Sequence, residues 1–589
     1  MNKHCYKSLF LWLAFYGVLF AFLQAYSEFH FYIVEQNQLF QNTWAYVSGL
    51  LMQPGGAALT ASEFLMQFFL LPYAGAGITA GLLTVAGWLA QCIVRRIAPG
   101  ASLMVACLLP ALTLMFIHFD FNYLVCGTVA FIMAEAAFYL VMGIKGYGGR
   151  FAAHAVMIPL LFCLAGPVST LYAAMILAAP VGADRRKVLA EKLTLASVAI
   201  LTGVLSVYFA FCGEYRYAFL PDGYYHFKLT PGSVIYFSWC SLLLLILLAG
   251  LLRKRMTAGG KKWRWVQMAA QAALIAVIFK MGVSEYGDSK SYLMKKLDYY
   301  SRTGQWNSIL EHCTGKLTNY LYLNYANLAL LEKGELGDRM FAFDQRNAQG
   351  LLVDWNKAAS VSVLLSDIYF AVGATAMSQE MAFEACVSVT GDGNPRMLKR
   401  LVQTNLIFGA YEVAGKYISI LENTFSYSGW AGEQRRFLYN DAEVEADPLL
   451  GAKRRSLAHG ASLSMIDGME AELLTIASAN PSDMSAITYA GAIHLLEKNM
   501  TGFEALIEKH FGTPVLPVLP PAFQEAVIIL YEKEPEYWQR YGISPDVAAR
   551  FAQYKRRILE ENHAGRSASL PSMMQSAWGN TYWFYYMFK

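Results

Sequence analysis

The stretch EQNQLFQNTWAYVSGLLMQPGG (residues 35–56) follows the first long apolar run of the chain and holds no lysine or arginine. Phe40, Trp44 and Tyr46 stand among its amides, a composition suited to a membrane–water interface. Lys3 and Lys7 stand at the other end of that run. Nothing after it resembles a small-residue cleavage site, so it reads as an uncleaved anchor.

Outward from this loop, apolar runs of spanning length recur at 8–26, 71–94, 101–117, 121–144, 151–165, 167–181, 193–212, 231–252 and 265–282. Basic residues fall in alternate connections: Lys3 and Lys7, Arg95 and Arg96, Lys145 and Arg150, 185–187, and 253–264. The intervening connections hold only Arg216 and Lys228. Positively charged connections stay inside, which puts the N-terminus in the cytoplasm and the Glu35 loop outside. Nine crossings then export everything that follows. The expectation is a bacterial inner-membrane protein with its C-terminal domain in the periplasm. The 151–181 region, interrupted by Gly166-Pro167, admits two short spans, a re-entrant pair or one kinked helix.

The composition divides near residue 283. Up to residue 282 there are 19 Lys+Arg against 9 Asp+Glu, and beyond it 28 against 34. The net +4 of the whole chain therefore reflects loop charge, and no nucleic-acid partner is implied. The expected fold is all-α, with a membrane domain over 1–283 and a helical-repeat domain over 284–589.

In the second half, apolar residues recur at three-and-four spacing between Gly, Asn and Pro signals. NLIFGAYEVAGKYISIL (405–421) fits a tetratricopeptide hairpin, with Gly409 at the turn and Ala414 where the helices cross. RTGQWNSIL (302–310), LALLEKGELGDRMFAF (328–343) and 480–506 share that grammar more loosely. The charged stretch 425–460 breaks it and reads as a loop or loosely packed helix. The aromatic tail WGNTYWFYYMFK (578–589) suits core packing. The nine cysteines are scattered singly; Cys313 and Cys386 are two that could pair in an oxidising compartment.

No phosphate-binding glycine loop, HExxH or serine elbow is present, and the ten histidines lack metal-ligand spacing. Candidate sites therefore come from the membrane half. Glu28 and Glu35 follow the first run, and Glu63 and Gln67 share one face of an amphipathic helix at 61–69. In HFDFNY (118–123), an extended turn would aim His118 and Asp120 the same way. Arg216 and Lys228 are the cations available to a phosphate, and Trp44 is an interfacial aromatic. Glu135 lies mid-span, with His154 and Gln91 as candidate partners in neighbouring spans.

This layout resembles the GT-C class of membrane glycosyltransferases. It also resembles an uncharacterised family of bacterial multi-pass envelope proteins with a tetratricopeptide-like C-terminal region, which implies no chemistry. The GT-C resemblance implies a carboxylate base or acceptor-binding group at Glu35 or Glu28. It implies a metal- or phosphate-proximal role for His118 and Asp120, with a divalent cation at Asp120 and a lipid-linked sugar as substrate. The chain departs from that class in lacking an adjacent acidic pair.

Three functions fit this plan. One is a transferase taking a sugar from a lipid-phosphate donor. The second is a non-catalytic scaffold that gathers envelope proteins on the helical repeat. The third is a transporter built around Glu135.

Overall fold

A computed structural model describes residues 3–99, 103–180, 185–252, 261–317, 319–391, 393–457, 468–564 and 567–589. Helices dominate, and no strand occurs among the described residues. The chain forms two units. The N-terminal unit is Met1–Lys295 together with Val389–Asp392 and Glu422–Ser428. The C-terminal unit is Lys296–Ser388, Gly393–Leu421 and Gly429–Lys589.

The N-terminal unit contains α1 (Lys3–Glu35), α2 (Trp44–Leu51), α3 (Gly56–Met66), α4 (Ala74–Ile97), α5 (Leu109–Ile117) and α6 (Cys126–Val141). It continues with α7 (Tyr147–Ala165), α8 (Val168–Ala178), α9 (Arg185–Tyr208), α10 (Tyr215–Phe219), α11 (Phe237–Leu252) and α12 (Lys261–Tyr286). Six helical stretches are long and apolar enough to cross a bilayer: Leu9–Glu35, Ala74–Ile97, Tyr147–Ala165, Arg186–Tyr208, Ser233–Leu252 and Trp263–Lys290. Ala106–Ile117, Cys126–Val141 and Val168–Ala178 are apolar but shorter. Nine runs in the sequence thus become six full-length helices and three short ones. Each short helix has a local reason. Pro110 opens α5 after a 3-10 turn, and α6 starts late because Leu124 N–H bonds the Tyr224 carbonyl at 3.0 Å. α8 stops where Ala179 turns extended before Pro180. Positions 101 and 181, Asp184, the basic residues at 253–255 and the 458–460 part of the charged stretch lie outside the described residues.

α4 sits centrally because its sequence is small. Ala76, Ala80, Ala86 and Ala90 are fully packed. A Cβ on Gly75 would meet the Phe31 side chain at 2.5 Å, and one on Gly87 would meet the Trp12 ring at 2.7 Å. Small residues at these crossings let α1 lie close against α4, as helices in lipid require. α9 and α12 instead leave Leu193, Ile200, Leu201, Leu274 and Val277 exposed along their lengths. Apolar faces of that extent are matched to lipid rather than water.

Two helices, α7 and α8, occupy the region broken by Gly166-Pro167, so the single kinked helix is excluded. Gly166 has φ +80°, where a side chain is strained, and the Gly55 N–H bonds the Cys163 carbonyl at 2.9 Å. Gly55, with φ +82°, brings its Cα within 3.7 Å of where a Gly166 Cβ would lie. The QPGG turn and the α7–α8 joint therefore touch, glycine to glycine.

In the C-terminal unit, Ala359–Val372 pairs with Thr375–Ser388 and Gly468–Ala479 with Ser485–Glu497. Gly409 caps Pro395–Phe408 at φ +73°, ahead of Tyr411–Glu422, in which Ala414, Ile418 and Leu421 are buried. The charged stretch after Phe425 is built of short helices, Ser428–Gln434, Asp441–Ala446 and Pro448–Arg455, packed through Ala431, Val444 and Leu450. A buried ion-pair network joins Arg396 to Asp298 (2.7 Å) and Asp367 (2.5 Å), and Arg400 to Asp367 (2.9 Å). The aromatic tail is core: Trp583 packs with Phe551 and Tyr554 and donates to the Glu525 carbonyl at 2.9 Å. Cys313 and Cys386 are separate free thiols.

Candidate functional site

A cavity of about 510 Å³ opens at the end of the N-terminal unit that carries the Glu35 loop. Its wall takes Gly55 and Glu63 from the α2–α3 region, Gly166 and Pro167 from the α7–α8 joint, Tyr217, Tyr224 and Tyr225 from the segment around α10, and Gln38 and Gly391. Tyr224 holds the joint in place: its hydroxyl donates to the Ala165 carbonyl at 2.5 Å and accepts from the Val168 N–H at 3.0 Å.

Glu63 is the carboxylate in this wall. It is 3 % exposed and accepts from the Tyr46 hydroxyl at 2.8 Å, which places it on α3 facing inward. Gln67, read as its same-face companion, caps the C-terminus of α3.

The other candidates stand behind the wall or away from it. Asp120 accepts from the Tyr225 hydroxyl at 2.6 Å and from the Asn122 N–H at 3.0 Å. Burial and the Asp120 carboxylate push the Tyr225 hydroxyl up, so it keeps its proton and donates. Arg216 donates to the Tyr217 hydroxyl at 2.7 Å and pairs with Glu214 at 2.8 Å. Two of the wall tyrosines, Tyr225 and Tyr217, are thus held by charged residues singled out from sequence, Asp120 and Arg216. Glu35 does not line the cavity; it accepts from the Tyr427 hydroxyl at 2.7 Å. Glu28 is half-buried within α1, which runs on to Glu35 through non-helical backbone at Ser27. Lys228 is exposed near the Phe227 ring, and Trp44 is 77 % exposed.

His118 and Asp120 diverge instead of sharing a direction. His118 ends α5 in helical backbone rather than an extended turn, so its ring turns inward to Thr128 Oγ1 at 2.8 Å. Burial pushes its pKa down to about 4. No group of three or more His, Cys, Asp or Glu able to hold a metal occurs among the described residues. The Asp120 oxygens are engaged by Tyr225 and Asn122.

One buried cluster was not visible in the sequence. Lys295 donates to Asp288 at 2.5 Å and meets His30 Nδ1 at 2.8 Å, with both members of the ion pair fully buried. Burial pulls the Lys295 ammonium below its usual value, while Asp288 and Asp120 act to raise it. The only sequence signal is the spacing of Asp288 and Lys295, which brings them together at the start of a helix.

The intramembrane candidates also part company. Gln91 accepts from the Trp12 indole N–H at 3.0 Å, and His154 bonds the Tyr172 hydroxyl at 2.8 Å. Neither reaches Glu135 because each faces a different neighbouring helix. Glu135 is fully buried, and its two oxygens have no hydrogen-bond partner among the described residues.

A profile described as a family of unknown function, DUF6057, matches residues 3–589. Comparison with curated proteins and with solved structures returned no match. The chain belongs to the DUF6057 family.

Proposed function

We propose that this family member is a membrane-embedded transferase that moves a sugar from a lipid-phosphate donor to an acceptor hydroxyl held beside Glu63. The observation that carries the reading is a buried carboxylate in the wall of a tyrosine- and amide-lined cavity of about 510 Å³. Hydroxyl and amide groups of this kind recognise polyols, and the apolar flanks of the same bundle suit a lipid tail. In the transfer, the acceptor O–H proton passes to Glu63 as the acceptor oxygen bonds the sugar carbon. The bond from that carbon to the phosphate oxygen breaks, and the phosphate leaves on its lipid. Arg216 and Lys228, close in sequence to the wall residues Tyr217 and Phe227, supply positive charge for the leaving phosphate.

The reading includes a topology. The six long helices and the three short apolar helices of the N-terminal unit make nine crossings, with the Glu35 end outside and the C-terminal unit in the periplasm. The paired helices of that unit make a tetratricopeptide-like array. The cavity linings favour this arrangement. Arg96, Arg150 and Lys192 gather around a second cavity reached by the opposite ends of α6, α7 and α8, whereas among the described residues no lysine or arginine lines the Glu63 cavity.

The test is Glu63→Gln in the full chain, scored by envelope-glycan profile in cells lacking the native copy. Loss of a glycan by about 10²-fold or more, with normal protein level, is the expected result. An unchanged profile would reject the transferase. The scaffold reading rests on the paired helices of the C-terminal unit, and it predicts that Glu63→Gln is tolerated while deletion of that unit is not.

A further inference from the structure

The second cavity has a chemistry of its own. It measures about 360 Å³ and is bounded by α4, α6, α7, α8 and α9, away from the Glu63 site. Three cations reach its wall, Arg96, Arg150 and Lys192, and Glu191 is the one carboxylate there among the described residues. The rest is largely apolar, including Phe138, Phe151, Ile176 and Leu195.

Each cation is fixed by main-chain carbonyls, and none forms an ion pair with an acid among the described residues. Arg96 donates to the Tyr139 carbonyl, with its guanidinium 3.7 Å from the centre of the Tyr139 ring. Arg150 donates twice to the Ile144 carbonyl, at 2.8 and 3.1 Å. Lys192, 8 % exposed, donates to the Leu177 carbonyl at 2.9 Å and to that of Ala179, at the C-terminal end of α8. A guanidinium carries five N–H donors, so both arginines keep donors for a further acceptor. Like charges that line one cavity repel, and an anion seated among them offsets that cost.

We propose that this cavity binds the phosphate headgroup of an anionic phospholipid, with the arginines and Lys192 on the phosphate and the phenylalanines against the first carbons of the tail. A free phosphate would meet the same cations. The apolar wall and the position between bilayer-length helices favour the lipid.

The test uses the full chain purified in mild detergent and read by native mass spectrometry. It is titrated separately with phosphatidylglycerol, phosphatidylethanolamine and inorganic phosphate. Phosphatidylglycerol is expected to bind in preference to phosphatidylethanolamine, and millimolar inorganic phosphate is expected not to displace it. Each neutralisation, Arg96→Gln, Arg150→Gln or Lys192→Met, weakens it about fivefold. Ile176→Trp, which fills the cavity without changing charge, weakens it as well, and this keeps the test open if a charge variant fails to fold. Undiminished phosphatidylglycerol binding in folded charge variants and in Ile176→Trp would overturn the proposal. So would displacement by inorganic phosphate at matching concentration.

Discussion

Glu35 accepts a hydrogen bond from the Tyr427 hydroxyl at 2.7 Å across 392 residues of chain. Both side chains are buried, and the Glu422–Ser428 segment is tied down at two further points. Asn42 donates to the Asn423 carbonyl at 3.2 Å, and Ser426 donates to the Gln67 carbonyl at 3.0 Å. Tyr427→Phe removes a donor from a buried carboxylate, which costs about 1–3 kcal/mol. Glu35→Gln keeps an acceptor in place and costs less. Thermal unfolding of the two purified variants should rank them in that order; the reverse order would assign Glu35 a role other than anchoring this segment.

Packing of α1 on α4 depends on the absence of a side chain at Gly87, where a Cβ would meet the Trp12 ring at 2.7 Å. Gly87→Val should therefore destabilise by about 1–3 kcal/mol through overpacking. It should also break the Trp12–Gln91 hydrogen bond. The tryptophan fluorescence of the variant should shift with the loss of stability, whereas Gly49→Val, at a position with open space, should not change it.

His118 makes stability fall on the acid side. Its folded pKa is depressed from 6.5 to about 4 by burial, so the unfolded chain takes up its proton first. Between these values stability drops as pH falls, by up to about 3 kcal/mol from this residue. Comparing unfolding at pH 7 and pH 4.5 for wild type and His118→Asn should show a smaller loss in the variant.

Glu525 works in the opposite sense. Burial raises its pKa from 4.5 to about 7, although the Tyr582 N–H, at 2.6 Å, acts to lower it. The folded carboxyl holds its proton longer than the unfolded one, so stability falls as pH rises from 4.5 to 7, by up to about 3 kcal/mol. Glu525→Gln should flatten that stretch of the pH profile while keeping an acceptor for Tyr582.

Much of the architecture was legible because lipid leaves a simple mark. Long apolar runs gave α4, α7, α9, α11 and α12, and alternate basic connections placed Arg96 and Arg150 at the same end. Gly166-Pro167 marked a real joint between two helices. The full lengths of α5, α6 and α8 were not legible, since apolar composition continues past the residues where proline and main-chain bonding stop the helix. The site was less legible still. Glu63 was one of several acids in the connections between the apolar runs, and only the fold of α3 turns it into the cavity. His118 and Asp120, two residues apart, part because helical backbone persists through His118. His30 meets the Asp288–Lys295 pair from 265 residues away, and a single sequence carries no mark of that contact.

The proposed chemistry requires the Glu63 cavity to face outward and the arginine-lined cavity to face the cytosol. The direct measurement is single-cysteine labelling of the full chain in intact spheroplasts, in a background freed of native cysteines, with a membrane-impermeant maleimide. Trp44→Cys, at the Glu35 end, should react from outside, while Tyr147→Cys, beside the arginine-lined cavity, should react only after permeabilisation. Labelling of Tyr147→Cys in intact cells, with Trp44→Cys protected, would contradict the orientation and with it the transferase.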